Sequence, residues 1–81
     1  MEIIKITTPY IKLDQLLKYA NICSSGGEAK EIIQNGLVLV NDDVQFQRGK
    51  KIVDGDVISF ENRRFVIRQD GNIDGNKKIT T

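Results

Sequence analysis

The residues of this chain best suited to chemistry lie in the stretch Ser24-Ser25-Gly26-Gly27-Glu28-Ala29-Lys30. Two hydroxyls, two bare glycines and a lysine about one turn further on are the parts of an anion site. A helix start exposes backbone amides and a partial positive charge, and glycine lets an anionic oxygen approach that backbone closely. Two glycines in a first helical turn are otherwise a poor choice, at roughly 1 kcal/mol each relative to alanine. No Gly-Lys-Ser/Thr follows and no strand precedes, so the stretch is not a nucleotide-binding phosphate loop. The phosphate would belong to something else, such as a nucleic-acid backbone. The competing explanation is that Gly26 and Gly27 only relieve crowding where two helices meet.

Other chemistry is excluded by what the chain lacks. It has no histidine, which removes the commonest general base and any Ser-His or Cys-His pair. A single cysteine, Cys23, rules out an internal disulfide and leaves no ligand set for zinc. Cys23 lies near a helix start, where a thiolate is stabilised, but no basic neighbour activates it; it reads as a small apolar filler between helices. Asp70, Asn72, Asp74 and Gly75 match the opening of a calcium loop. Such a loop needs a glutamate where this chain ends at Thr81, and a helix beyond it. No metal, cofactor, small-molecule substrate or catalytic role is therefore expected.

Charge points toward anionic partners only through its distribution. The 81 residues carry a net charge of +1. Positive residues gather in Arg48, Lys50 and Lys51 and again in Arg63, Arg64 and Arg68, while acidic ones lie mostly in turns. Such a distribution gives a folded surface a basic face despite a near-neutral total, or else solvated charges on strand edges.

These residues must be positioned by short elements. Ile4 and Ile6 alternate with Lys5 and Thr7 in a first strand, which Pro9 breaks. Leu13, Leu16, Leu17 and Ala20 recur at helical spacing. Ser25 and Glu28 form a capping box at the start of a second helix, and Gly36 stops it. Leu37–Val40 is a strand and Asn41-Asp42-Asp43 a tight turn, weaker than Asn-Gly because Asp42 tolerates positive φ less easily; Val44-Gln45-Phe46 begins the partner strand. Val57–Phe60 and Arg64–Arg68 are two further strands joined around Glu61-Asn62-Arg63, with Phe65 and Ile67 on one face and Arg64 and Arg68 on the other. Residues 70–81 bury too little to order and read as a mobile tail. The whole is an α+β fold, two short helices on a small, mainly antiparallel sheet, in one domain over residues 1–69. With Leu37–Val40 as its longest apolar run, the chain offers no membrane span or signal core, and it is expected to stay in the cytoplasm.

The order and punctuation of these elements resemble a known family. Leu13, Asp14, Leu17, Ala29, Ile32, Ile33, Gly36, Val38, Val40, Asn41, Gly55, Asp56 and Ile58 follow the pattern of the S-four RNA-binding domain, the αL module. The resemblance runs from Lys12 to about Phe60. The words around Ser24–Lys30, Val38–Asn41 and Arg48–Lys51 look most like the small, stand-alone bacterial members of the YaaA type.

This resemblance implies binding of structured RNA, most plausibly ribosomal RNA or ribosomal particles, in ribosome assembly or ribosome-associated surveillance. It places Lys12, Ser24, Ser25, Lys30 and Gln34 on the RNA-contacting helix face, with Arg48, Lys50 and Lys51 beside it. Gly26 and Gly27 would then present backbone amides where other members use an arginine. Lys12 in place of arginine loses bidentate phosphate geometry, Ser25 stands where many members have a second arginine, and Asp42 replaces a turn glycine. Only Tyr10 and Tyr19 stand as aromatics on polar faces, which argues against base stacking on single strands. Two other classes fit the elements: a helix-turn-helix DNA binder, though its second helix lacks guanine-reading arginines, and a protein-interaction module with incidental basic patches.

Overall fold

Two short stretches with helical spacing and several with alternating pattern produce two layers. The computed structural model describes residues 1–70. Strand β1 (Glu2–Ile6) leads to a short strand β2 (Ile11–Lys12), helix α1 (Leu13–Tyr19) and helix α2 (Gly26–Gln34). Strands β3 (Val38–Val40), β4 (Asp43–Val44), β5 (Lys51–Ile52), β6 (Val57–Phe60) and β7 (Arg63–Gln69) follow. Five strands form a sheet in the order β1-β7-β6-β3-β4, while β2 pairs with β5 in a separate ladder. Every pairing is antiparallel except that of β1 with β7. The α+β architecture read from the sequence is the one observed. The proposed tail, with its calcium-like spacing, lies outside the described residues apart from Asp70, whose N–H donates to the Ile6 carbonyl at 2.7 Å.

The core forms where one sheet face meets the apolar stripes of both helices. Ile6, Val38, Ile58, Phe65 and Ile67 bury against Leu13, Leu16 and Leu17 of α1 and Ala29 and Ile33 of α2. Burial of each of the Leu, Ile, Val and Phe side chains is worth about 1.5–3 kcal/mol relative to exposure. Cys23 is buried in the same cluster, and desolvation pushes its thiol pKa up, which fits a filler and not a nucleophile.

Local signals set the helix ends. The Ser25 hydroxyl oxygen accepts from the Glu28 N–H at 3.2 Å, the N-cap bond that its sequence position predicts. At the other end Gly36 takes φ +73°, with Gly36 N–H bonded to the Ile33 carbonyl and Leu37 N–H to that of Ile32. That pair of bonds is a Schellman stop. Helix α1 ends in the same way at Asn21, φ +61°, an asparagine taking the left-handed role.

The β3–β4 turn is better built than its sequence suggests. Asn41 and Asp42 both adopt positive φ, +52° and +73°, the conformation that matches the twist of a two-residue hairpin. The Asn41 side chain explains why an aspartate suffices beside it. Its Oδ1 accepts from the Val57 N–H at 2.9 Å, and its Nδ2 donates to Asp56 at 3.0 Å. The second Asp56 oxygen accepts from the Val53 N–H at 2.9 Å, so two turns are locked to each other.

Candidate nucleic-acid interface

Helix α1 begins without a side-chain cap on its N-cap residue, Lys12. Its first amides are met by main-chain carbonyls from a distant loop instead. Leu13 N–H donates to the Lys50 carbonyl at 2.9 Å and Asp14 N–H to the Arg48 carbonyl at 3.0 Å. These bonds satisfy orphan donors and pin the Arg48–Lys51 segment beside Lys12. The ladder continues the join, with Lys12 opposite Lys51 and Ile11 opposite Ile52. Lys12, Arg48, Lys50 and Lys51, all exposed, thus gather at one end of α1.

Helix α2 packs on α1 and carries the remaining candidates. Gly27, Lys30 and Gln34 fall within about 60° of one another on a helical projection, to one side of the buried Ala29 and Ile33, with Glu31 directly across from that pair. Beyond α2, Gly36 lies against Phe46: a Cβ there would meet the ring at 3.3 Å. Phe46 shortly precedes Arg48, so the chain passes from this contact to the lysine cluster within a few residues. Gly27, Lys30 and Gln34 thus lie along α2, and the chain that follows its C-terminal end leads on to the cations at the start of α1. Ser24 and Ser25 stand at the N-terminal end of α2.

The two glycines do not relieve crowding. A Cβ at Gly26 would find nothing within 4 Å, and one at Gly27 only the Ser25 hydroxyl at 4.0 Å. The helix start is nevertheless not vacant of negative charge. The Glu28 carboxylate accepts from both the N–H and the hydroxyl of Ser24, each at 3.0 Å. In the expected capping box that carboxylate would reach Ser25; it reaches one residue further back. Those bonds, the N–H first, hold the Glu28 pKa below its ordinary value. Ser24 is thereby committed to Glu28, whereas the Ser25 hydroxyl oxygen accepts from the Glu28 N–H.

Ion pairing separates the two basic segments of the sequence. Arg63 is bonded bidentately to Glu2, at 2.7 and 2.9 Å, and also to the Ala20 carbonyl at 2.8 Å. Arg64 lies 3.8 Å from Asp42 and Arg68 3.8 Å from Asp54. These arginines belong to the sheet, with Arg64 and Arg68 on the face away from the helices. Among the described residues, no ion pair involves Lys12, Lys30, Arg48, Lys50 or Lys51. The three sheet arginines are thus each ion-paired, whereas among the described residues the five candidate cations, like Lys5 and Lys18, are not.

Aromatic placement corrects the sequence reading. Tyr10 lies beneath the Lys51 ammonium, 4.9 Å from the ring centroid. Tyr19 donates its hydroxyl to the Lys5 carbonyl at 3.2 Å. The missed residue is Phe46, expected in a strand but left 60% exposed after β4 ends at Val44. Among the described residues, no cluster of acidic or cysteine side chains could hold a metal ion.

This geometry has known relatives. The sequence pattern of the S4 domain, the S-four module, matches residues 4–68. The chain belongs to the S4 domain family. Over 58 residues this S4 domain is 45% identical to the Bacillus subtilis protein named Probable ribosome maturation protein RlbA, covering 72% of this chain and 82% of that one. Its fold is similar to the solution structure of YbcJ from E. coli, described as revealing an αL motif involved in RNA binding. That likeness has a TM-score of 0.64 at 30% identity and covers 84% of this chain and 87% of the other. Within the S4 domain the matched positions divide by role. Asn41 and Asp56 pin turns, and Leu13, Leu17, Ala29 and Ile33 build the core.

Proposed function

We propose that this S4 domain protein binds structured RNA, ribosomal RNA foremost, and acts without catalysis in ribosome maturation or ribosome-associated surveillance. The observation that carries this reading is the set of unpaired cations, Lys12, Lys30, Arg48, Lys50 and Lys51, on one helix-side face. Phosphate contacts from such a face supply affinity and register, and shape supplies discrimination, as is usual for folded RNA. Ser25, Gly26 and Gly27 extend the face with neutral donors, Gln34 adds an amide, and Ser24 serves by holding Glu28. The relatives support the same direction: one is named for ribosome maturation and the other is described by an RNA-binding motif. A major-groove DNA reader fits less well, because the exposed side of α2 offers Glu28, Lys30, Glu31 and Gln34 and no arginine.

Ultraviolet crosslinking in cells followed by sequencing of the bound RNA tests this directly. Ribosomal RNA reads concentrated at one or a few positions are expected. Reads spread in proportion to transcript abundance, or complexes that survive ribonuclease, would contradict it.

A further inference from the structure

We propose that Phe46 is a stacking platform for one unpaired nucleobase in the RNA held by the helix-side face; this rests on the RNA-binding reading above. Phe46 is an aromatic side chain with no polar atom, yet it is 60% exposed. Its position is built and not accidental. The ring lies against Gly36, where a Cβ would stand 3.3 Å from Cε1 and 3.7 Å from Cζ, and Val44 flanks the same glycine at 3.6 Å. Gly36 takes φ +73° and has no side chain, so the end of α2 forms a backbone shelf under one edge of the ring.

The surroundings identify the occupant. On one side the outer stripe of α2 leads to Lys30 and Gln34. On the other the chain proceeds within two residues to Arg48, whose carbonyl caps α1. Phe46 therefore stands along the chain between the end of α2 and Arg48, and a nucleotide whose phosphates reach cations on both sides would present its base there. Aromatic rings accept bases in this way without regard to sequence. Folded RNA offers such bases at bulges and loops, where they are already unstacked. The exposed Leu37 and Val44 beside the ring would also suit an apolar protein segment. Continuity with unpaired cations favours the nucleotide, and the protein alternative is an outcome of the test.

The test uses two RNA hairpins of equal length and charge, one carrying a single bulged 2-aminopurine and the other the same base paired in the stem. Wild-type protein should bind the bulged hairpin roughly 5- to 150-fold more tightly, the range for one stacked base, and quench its fluorescence. Phe46→Leu, which keeps an apolar side chain but removes the π face, should erase both the preference and the quench. Phe46→Trp should retain them. A Phe46→Leu variant that still prefers and quenches the bulge overturns the platform while leaving RNA binding intact, and leaves the patch to a protein. Equal weakening toward both hairpins overturns it too. Wild-type protein that binds neither hairpin at low salt removes the RNA-binding reading and the platform with it.

Discussion

Lys12 stands directly across from Lys51 in the short antiparallel ladder of β2 and β5. The adjacent pair, Leu13 and Lys50, is hydrogen-bonded through the Leu13 N–H, so the lysines take the position where opposed side chains come closest. Like charges opposed in this way are destabilising. Neither lysine has an acidic partner among the described residues, and Lys51 is offset only by the Tyr10 ring beneath it, so both charges are available to an anionic partner. The substitution Lys12→Gln should raise the melting temperature slightly while weakening RNA binding, with the salt slope shallower by about 1. Thermal melts paired with salt titrations check both halves.

The glycines at the start of α2 make a second trade of stability for contact. Neither position is crowded, so Gly26→Ala with Gly27→Ala should stabilise the protein, by up to about 1 kcal/mol per site. The same double variant should bind RNA more weakly, because two methyl groups then cover amides that a phosphate would approach. Chemical denaturation and RNA titration of one preparation measure both. Unchanged affinity would remove the glycines from the interface.

Glu28 occupies the Ser24 donors, so it competes with any anion at that helix start. Replacing it with glutamine keeps an oxygen able to accept from Ser24 but removes the charge. Glu28→Gln should therefore bind RNA more tightly and fold less stably. Weaker binding by a folded variant would show that the carboxylate helps the interface.

Acid stability has a defined sign. Hydrogen bonds from Arg63, reinforced by its charge, hold the Glu2 pKa below the ordinary 4.5. A carboxyl whose pKa is lower in the folded state contributes stability that is fully present above the unfolded value and lost as pH falls through the folded one. The stability gap between wild type and Glu2→Gln should thus be constant at neutral pH and should close below about pH 4.5. Urea midpoints across that range measure it.

Much of this fold was legible in sequence because its signals are local. Ser25 and Gly36 marked the ends of α2, and the spacing of Leu13, Leu16 and Leu17 marked the buried face of α1. What escaped depends on contacts between distant segments. The parallel pairing of β1 with β7 joins Glu2 to Phe65, and no local pattern encodes it. The carbonyls of Arg48 and Lys50 capping α1 are main-chain groups without a sequence signature. Asn41 makes a tolerable turn of Asn-Asp only because Asp56 and Val57 lie across from it. Phe46 was expected to continue the strand begun at Val44, but the ladder ends at Val44 and the ring is left at the surface. In the site, residue types identified the cations, but only the observed ion pairs separated the free set from Arg63, Arg64 and Arg68.

The central claim is that the helix-side cations hold RNA by its phosphates, and Lys50 and Lys51 are the cleanest place to test it. Truncating both to alanine leaves intact the Lys50 carbonyl that caps α1 and the backbone ladder to β2. The measurement is RNA affinity against salt concentration for wild type and Lys50→Ala/Lys51→Ala, on several RNAs of different sequence. Affinity should fall about equally on all of them, and the slope of log affinity against log salt should shrink by roughly 2. A slope identical to wild type would contradict the account.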